Sequence, residues 1–244
     1  IMFWNLVRYE FKNVNKWYLA LYGAVLALSG LIGIQAKTYN NLPIKESQPI
    51  LLVFLALVFG GLMITLGIST LILIIRRFKG SVYDRQGYLT LTLPVSEHQI
   101  ILAKLLGAFI WSLISSAVLV LSIYIILVII EPNSVDFLAF KDLFQQYLDS
   151  ISLSLISFIL STVAGILCIY LAISIGQLFN EYRTALAVLA YIVIHIVLGF
   201  SDLFLNFGTH YNMMLTYEIF KDLILIAVFY LGTYYILKNK VNLQ

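Results

Sequence analysis

The sequence predicts an all-α, polytopic membrane protein with six transmembrane helices, and three observations carry that prediction. Hydrophobic residues make up 61% of the chain and charged residues only 11%, against about 25% charged in soluble domains, and the mean hydropathy is +0.97. The apolar residues are gathered into six runs, each long enough to cross a hydrocarbon core, which takes about 20 helical residues. Lys and Arg fall unequally on the two sides that these runs define. Arg8, Lys12, Lys16, Arg76, Arg77, Lys79, Arg85, Lys104, Arg183, Lys238 and Lys240 lie on one side, and Lys37, Lys45, Lys141 and Lys221 on the other. The richer side is cytoplasmic by the positive-inside rule, which puts both termini in the cytoplasm.

Residues 1–244 read as one transmembrane domain. Residues 1–16 form an interfacial helix, because Trp4, Val7, Phe11 and Val14 recur at helical spacing, with Tyr18 continuing the stripe. Arg8, Lys12 and Asn15 lie toward another side, where they meet anionic lipid. The first apolar run is of span length and follows a charged, aromatic lead-in, unlike a cleavable signal peptide. The spans are expected at 17–36, 49–75, 100–130, 150–179, 184–205 and 218–237. Gly23, Gly30 and Gly33 in the first, and Gly60, Gly61 and Gly67 in the second, allow close neighbours or a bend. Lys104 can snorkel from the inner end of the third span. Residues 131–149 are either a short amphipathic helix on the outer interface or the wet lead-in of the fourth span. Ser150, Ser154, Ser157, Ser161 and Gly165 share one face of that span. This small-residue seam suits close helix contact, within the chain or across a dimer.

The longest polar interruption is the loop 76–99, RRFKGSVYDRQGYLTLTLPVSEHQ. A bilayer cannot hold it, and it is longer than a tight turn requires. Ser81 to Arg85 is helix-compatible and Gly87 ends it. Pro94 breaks any continuing helix. Ser96 is an N-cap, and Gln99 completes a capping box that starts the third span. Leu93, Pro94 and Ser96 therefore form the hinge between loop and span. On composition alone the loop is equally a solvated connector that fixes topology.

The block GYLTLTLPVSEHQIILAKLL, Gly87 to Leu106, resembles the first cytoplasmic loop and following helix of bacterial type-2 ABC exporter permeases, in particular small permeases serving peptide and antibiotic exporters. Beyond this block the resemblance is one of layout: length, six spans and a basic amphipathic N-terminus. It implies a cytoplasmic coupling helix at about Ser81 to Tyr88 docked on a separate ATPase subunit, through Ser81, Tyr83, Asp84, Arg85, Gly87 and Tyr88. Tyr83 and Tyr88 are the expected anchors, with Asp84 and Arg85 setting orientation. It also implies a second ATPase contact at the N-terminal helix, through Arg8 and Lys12. The implied partners are two ABC ATPase subunits and a second permease chain, identical or homologous. Further partners are membrane lipid and an amphipathic peptide or lipophilic drug as substrate. The implied location is the bacterial plasma membrane.

The chain carries little chemistry of its own. It lacks GxxxxGK[ST], so no P-loop is expected to hold nucleotide, and the resemblance implies that ATP and Mg are bound by the partner subunit. HExxH, GxSxG and a His–Cys cluster are also absent. Cys168 is the one cysteine, so neither a disulfide framework nor a cysteine metal site is expected. No catalytic residue, metal or bound cofactor is expected, and the formal charge of +3 is too dispersed for nucleic acid. His195 and Asp202 lie seven residues apart, on one helical face. They form either a proton relay, the mark of a secondary transporter or channel, or a structural pair with Asp202 near the headgroups and His195 bonded to a neighbouring helix. A membrane scaffold or sensor without transport is the third class open.

Overall fold

In the computed structural model, residues 4, 6–8, 16–40, 50–83, 96–131, 148–179, 181–204 and 211–239 are described. They are helical with short connecting turns, and no strand occurs among them. The long helices are α1 (Lys16–Asn40), α2 (Ile50–Val82), α3 (Glu97–Ile130), α4 (Leu148–Gly176), α5 (Arg183–Phe204) and α6 (Tyr211–Asn239). All six are long and apolar enough to cross a membrane. Leu57, Phe54, Val120, Leu189, Val197 and Ile224 stand exposed on them. Such faces are sustained by lipid, where water would drive them together. The protein is a multi-pass membrane protein.

Helix ends differ from expectation where polar residues prolong a span. A helix satisfies its own backbone at any depth, so an apolar run marks the hydrocarbon segment and not the whole helix. α1 continues through Lys37–Asn40, expected as loop, and α6 starts at Tyr211, seven residues before its apolar run. α2 runs through Arg76 to Val82 in its 33 residues, about 50 Å at 1.5 Å per residue. Residues 76–82 are therefore the end of a span helix, not the lead-in to a separate one. α3 begins at Glu97, directly after Ser96, whose carbonyl accepts from the Gln99 and Ile100 amides. That is the start the Ser96–Gln99 spacing predicts. α4 stops at Gly176, three residues short of the expected end; Gln177 and Leu178 turn away from it, and α5 starts at Arg183.

The chain forms two compact units. One holds residues 12–72 and 110–146, so it takes α1, α2 up to Ile72 and α3 from Ile110. A buried polar chain ties its helices. The Tyr18 hydroxyl donates to Thr70 Oγ1 at 3.0 Å, Thr70 and Ser115 Oγ lie 3.1 Å apart, and Ser115 meets the Tyr22 hydroxyl at 2.9 Å. Each hydroxyl would be costly unpaired at this depth, and interhelical bonds of this kind stabilise by about 0.6 to 2 kcal/mol. Tyr18 thus belongs to the α1–α2 contact, a correction to its place on the N-terminal stripe. Gly33 is closely approached, since a Cβ there would lie 2.9 Å from Ile129. Gly23, Gly30, Gly60, Gly61 and Gly67 have no heavy atom within 4 Å of that position. Among the described residues of the chain no close neighbour meets them.

The other unit holds residues 1–11, 73–109 and 147–244. Its core joins Ile74, Phe78 and Val82 of α2, Ile100 and Ile101 of α3, Ile166 to Tyr170 of α4, and Phe229 and Leu237 of α6. α4 and α6 run parallel: Ser150 meets Asn212, Ser157 meets Glu218, and Leu171 meets Gly232. In the seam, Ser150, Ser154 and Ser157 bond to Asn212, Tyr211 and Glu218 of α6. Ser161 and Gly165 remain exposed. Lys104 is buried, with 9% of its surface exposed, and does not snorkel.

Candidate functional site: the helix ends framing residues 84–95

The resemblance places the working part of the chain at residues 81–96, and the helices on either side of it are fixed by named contacts. α2 delivers its end as a ridge of Ile74, Phe78 and Val82, spaced four apart and all buried. The Phe78 ring stacks on Tyr170 of α4 with centroids 3.9 Å apart and planes 9° from parallel. Tyr83 follows α2 in a turn closed by its amide to the Lys79 carbonyl at 2.9 Å. Its ring meets Phe78 edge-on at 6.0 Å, and its hydroxyl donates to Ser174 Oγ at 2.8 Å. Burial pushes the Tyr83 phenol up to about 12, against the opposing effect of the Ser174 bond. Tyr83 is half-buried and spends its hydroxyl inside the bundle. That corrects the expectation of an exposed anchor, for which its polar sequence neighbours gave the wrong environment.

The far side of the segment is pinned to α6. His98, in the first turn of α3, stacks on Tyr234 at 3.9 Å, and its Nδ1 shares a 2.6 Å hydrogen bond with the Tyr230 hydroxyl. Lys238 Nζ lies 5.5 Å from the Tyr234 ring centre, a cation–π contact. Both stems of residues 84–95 are thereby held on the α4–α6 pair. Tyr83 fixes one to α4, and His98 fixes the other to α6. The sequence named Tyr83 for another role and passed over His98, Tyr230 and Tyr234. Their signal was the coincidence of a His at a helix start with two Tyr four apart near another helix's basic end.

The α4–α5 turn lies beside this frame. Lys79 Nζ donates to Thr184 Oγ1 at 3.2 Å, which brings the end of α2 to the start of α5. Gly176 permits the approach: a Cβ there would collide with the Arg183 carbonyl and lie 2.7 Å from Ala187 Cβ. Tyr182 has a left-handed backbone, φ 55°, and is 78% exposed, a strained position for an aromatic residue. Arg76 and Arg183 are exposed at the same end, with the exposed Glu181 two residues before Arg183.

Among the sequence-predicted residues, Ser81 and Val82 continue α2, Tyr83 closes it and Ser96 precedes α3. Trp4 and Arg8 are exposed and Val7 is buried. Asp84, Arg85, Gly87, Tyr88, Leu93, Pro94 and Lys12 lie outside the described residues, as does most of the stretch 131–149. His195 and Asp202 are not brought together. His195 Nδ1 bonds to the Tyr191 carbonyl of its own helix at 3.0 Å, and Asp202 accepts from Lys221 Nζ at 2.8 Å. His195 is therefore not bonded to a neighbouring helix as the structural reading expected, and no relay joins the pair. Among the described residues no group of three or more His, Cys, Asp or Glu could hold a metal ion. No family model, curated protein or solved structure matches the chain.

Proposed function

We propose that the chain is the permease subunit of a bacterial type-2 ABC exporter, moving amphipathic peptides or lipophilic drugs with ATP hydrolysed by a separate subunit. The observation that carries this reading is the block Gly87 to Leu106, which runs into α3, together with the two stems of residues 84–95, each held on the α4–α6 pair. A segment that receives force must be stiffly joined to the helices that move, and aromatic and hydrogen-bonded stems supply that stiffness. The exposed cations Arg76 and Arg183 support a cytoplasmic location for this end by the positive-inside rule, and on this reading both termini are cytoplasmic in a bacterial plasma membrane. On this reading the ATP is hydrolysed by two ATPase subunits that stand beside two permease chains. The separation of His195 from Asp202 leaves the secondary-transporter reading without its relay.

The test is transport in inside-out vesicles carrying the chain and its ATPase. Uptake of a labelled amphipathic peptide should require ATP and survive a proton uncoupler. Uptake that runs on a proton gradient without ATP would overturn the assignment.

A further inference from the structure

We propose that Ser157, Glu218 and Asp222 form a binding site for the primary ammonium group of a cationic amphiphile, at the N-terminal part of the α4–α6 pair. The buried stripe of α6 repeats every seven residues as Leu215, Asp222, Phe229 and Ile236. Asp222 thus occupies a position that its equivalents fill with large apolar side chains. It is 7% exposed and has no hydrogen bond or ion pair to a described residue. A carboxylate so placed in a span helix is costly unless a cation meets it. The adjacent cation is committed elsewhere: Lys221 Nζ lies 2.8 Å from Asp202 Oδ1 and 5.6 Å from the Tyr217 ring centre.

Glu218 stands one turn before Asp222, on the same face, and its charge acts on Asp222 together with those of Asp202 and Lys221. Among the described residues here, three carboxylates stand against one ammonium. The Ser157 hydroxyl, also buried, donates to Glu218 Oε2 at 3.2 Å and keeps its own oxygen as an acceptor. A primary ammonium carries three donors and no acceptor. Two carboxylates and a hydroxyl oxygen match it, whereas a metal ion would ask for a larger convergent donor set than the described residues offer. On the Asp222 face of α6, Ile219, Leu225 and Ile226 lie within one turn and are half-buried, apolar surface that suits the hydrocarbon part of the same ligand.

This inference deepens the exporter reading by naming the substrate's headgroup, but the binding itself needs no ATPase. The chain alone, in nanodiscs of phosphatidylcholine, would be titrated with a fluorescent lysine-bearing amphipathic peptide and with the same peptide acetylated on its lysines. The free-amine peptide should bind about tenfold more tightly than the acetylated one. Asp222→Asn and Glu218→Gln should each remove that preference and leave acetylated-peptide binding unchanged. Glu218 is only half-buried, so its variant keeps the test available if the Asp222 variant fails to fold. Adding phosphatidylethanolamine then separates the sources of the amine: competition with the peptide assigns the site to an aminolipid headgroup, and no competition assigns it to the peptide. Equal binding of the two peptides by the unaltered chain, or a preference that survives both substitutions, would overturn the site. Failure of ATP-driven uptake with the amine preference intact would overturn the exporter reading alone.

Discussion

At the scale of single residues, Tyr83 shows how a correct location and a wrong environment can be read from one stretch. Its polar neighbours suggest solvent, yet the ridge Ile74–Phe78–Val82 turns it onto α4, where Ser174 Oγ accepts its hydrogen bond. Tyr83→Phe should destabilise the solubilised protein by about 1 kcal/mol, the worth of one hydrogen bond. Tyr83→Ala should cost about 2 kcal/mol, below the range for a fully buried ring. Thermal unfolding followed by size exclusion measures both. Because the folded phenol is raised to about 12 from about 10 unfolded, its contribution is complete below pH 10 and is lost as pH climbs toward 12. The difference in melting temperature between the unaltered chain and Tyr83→Phe should follow that course, and a difference that grows with alkalinity would contradict it. Tyr182 presents the opposite case, a strained backbone with an exposed ring. Tyr182→Gly should stabilise the chain by roughly 1 kcal/mol, since glycine holds a left-handed conformation without the Cβ penalty.

At the scale of elements, the six long helices were legible because a bilayer leaves few ways to bury an apolar run of that length. Their ends were not. Polar turns such as Arg76–Val82 and Tyr211–Tyr217 carry no hydropathy signal, yet continue the helix on backbone bonds alone. Glycine roles were legible only as a possibility, because a glycine marks a close contact only where a second helix arrives. Gly176 and Gly165, both in α4, make the contrast testable. Gly176→Ala forces a methyl group against Ala187 and the Arg183 carbonyl and should cost about 1 to 3 kcal/mol. Gly165→Ala enters open space and should be neutral or stabilise by up to about 1 kcal/mol through helix propensity. Equal melting temperatures for the two variants would contradict the packing described for the α4–α5 turn. The serine seam was legible as close contact, and its partner α6 became visible only through Asn212, Tyr211 and Glu218.

For the molecule as a whole, the proposed role rests on the resemblance at Gly87 to Leu106, of which the structure describes Ser96 and the first turns of α3. The charged groups near α5 bear on energy source. Asp202 is 48% exposed and its pair with Lys221 is a surface pair, worth less than about 1 kcal/mol. Asp202→Asn and His195→Asn should therefore leave export largely intact at normal protein level, and complete loss of export with an altered pH response would restore the proton-relay reading. Coupling to ATP makes the stronger demand. The tagged chain, purified from membranes of its own cells, should bring down an ATPase with a P-loop, and the chain stripped of that subunit should hydrolyse no ATP. Tyr88→Ala should reach the membrane at normal level and lose the ATPase, with docking weakened by roughly 2 kcal/mol or more. A chain that purifies without any ATPase, or a Tyr88→Ala variant that retains it in full, would contradict the assignment of residues 81–88 as the coupling element.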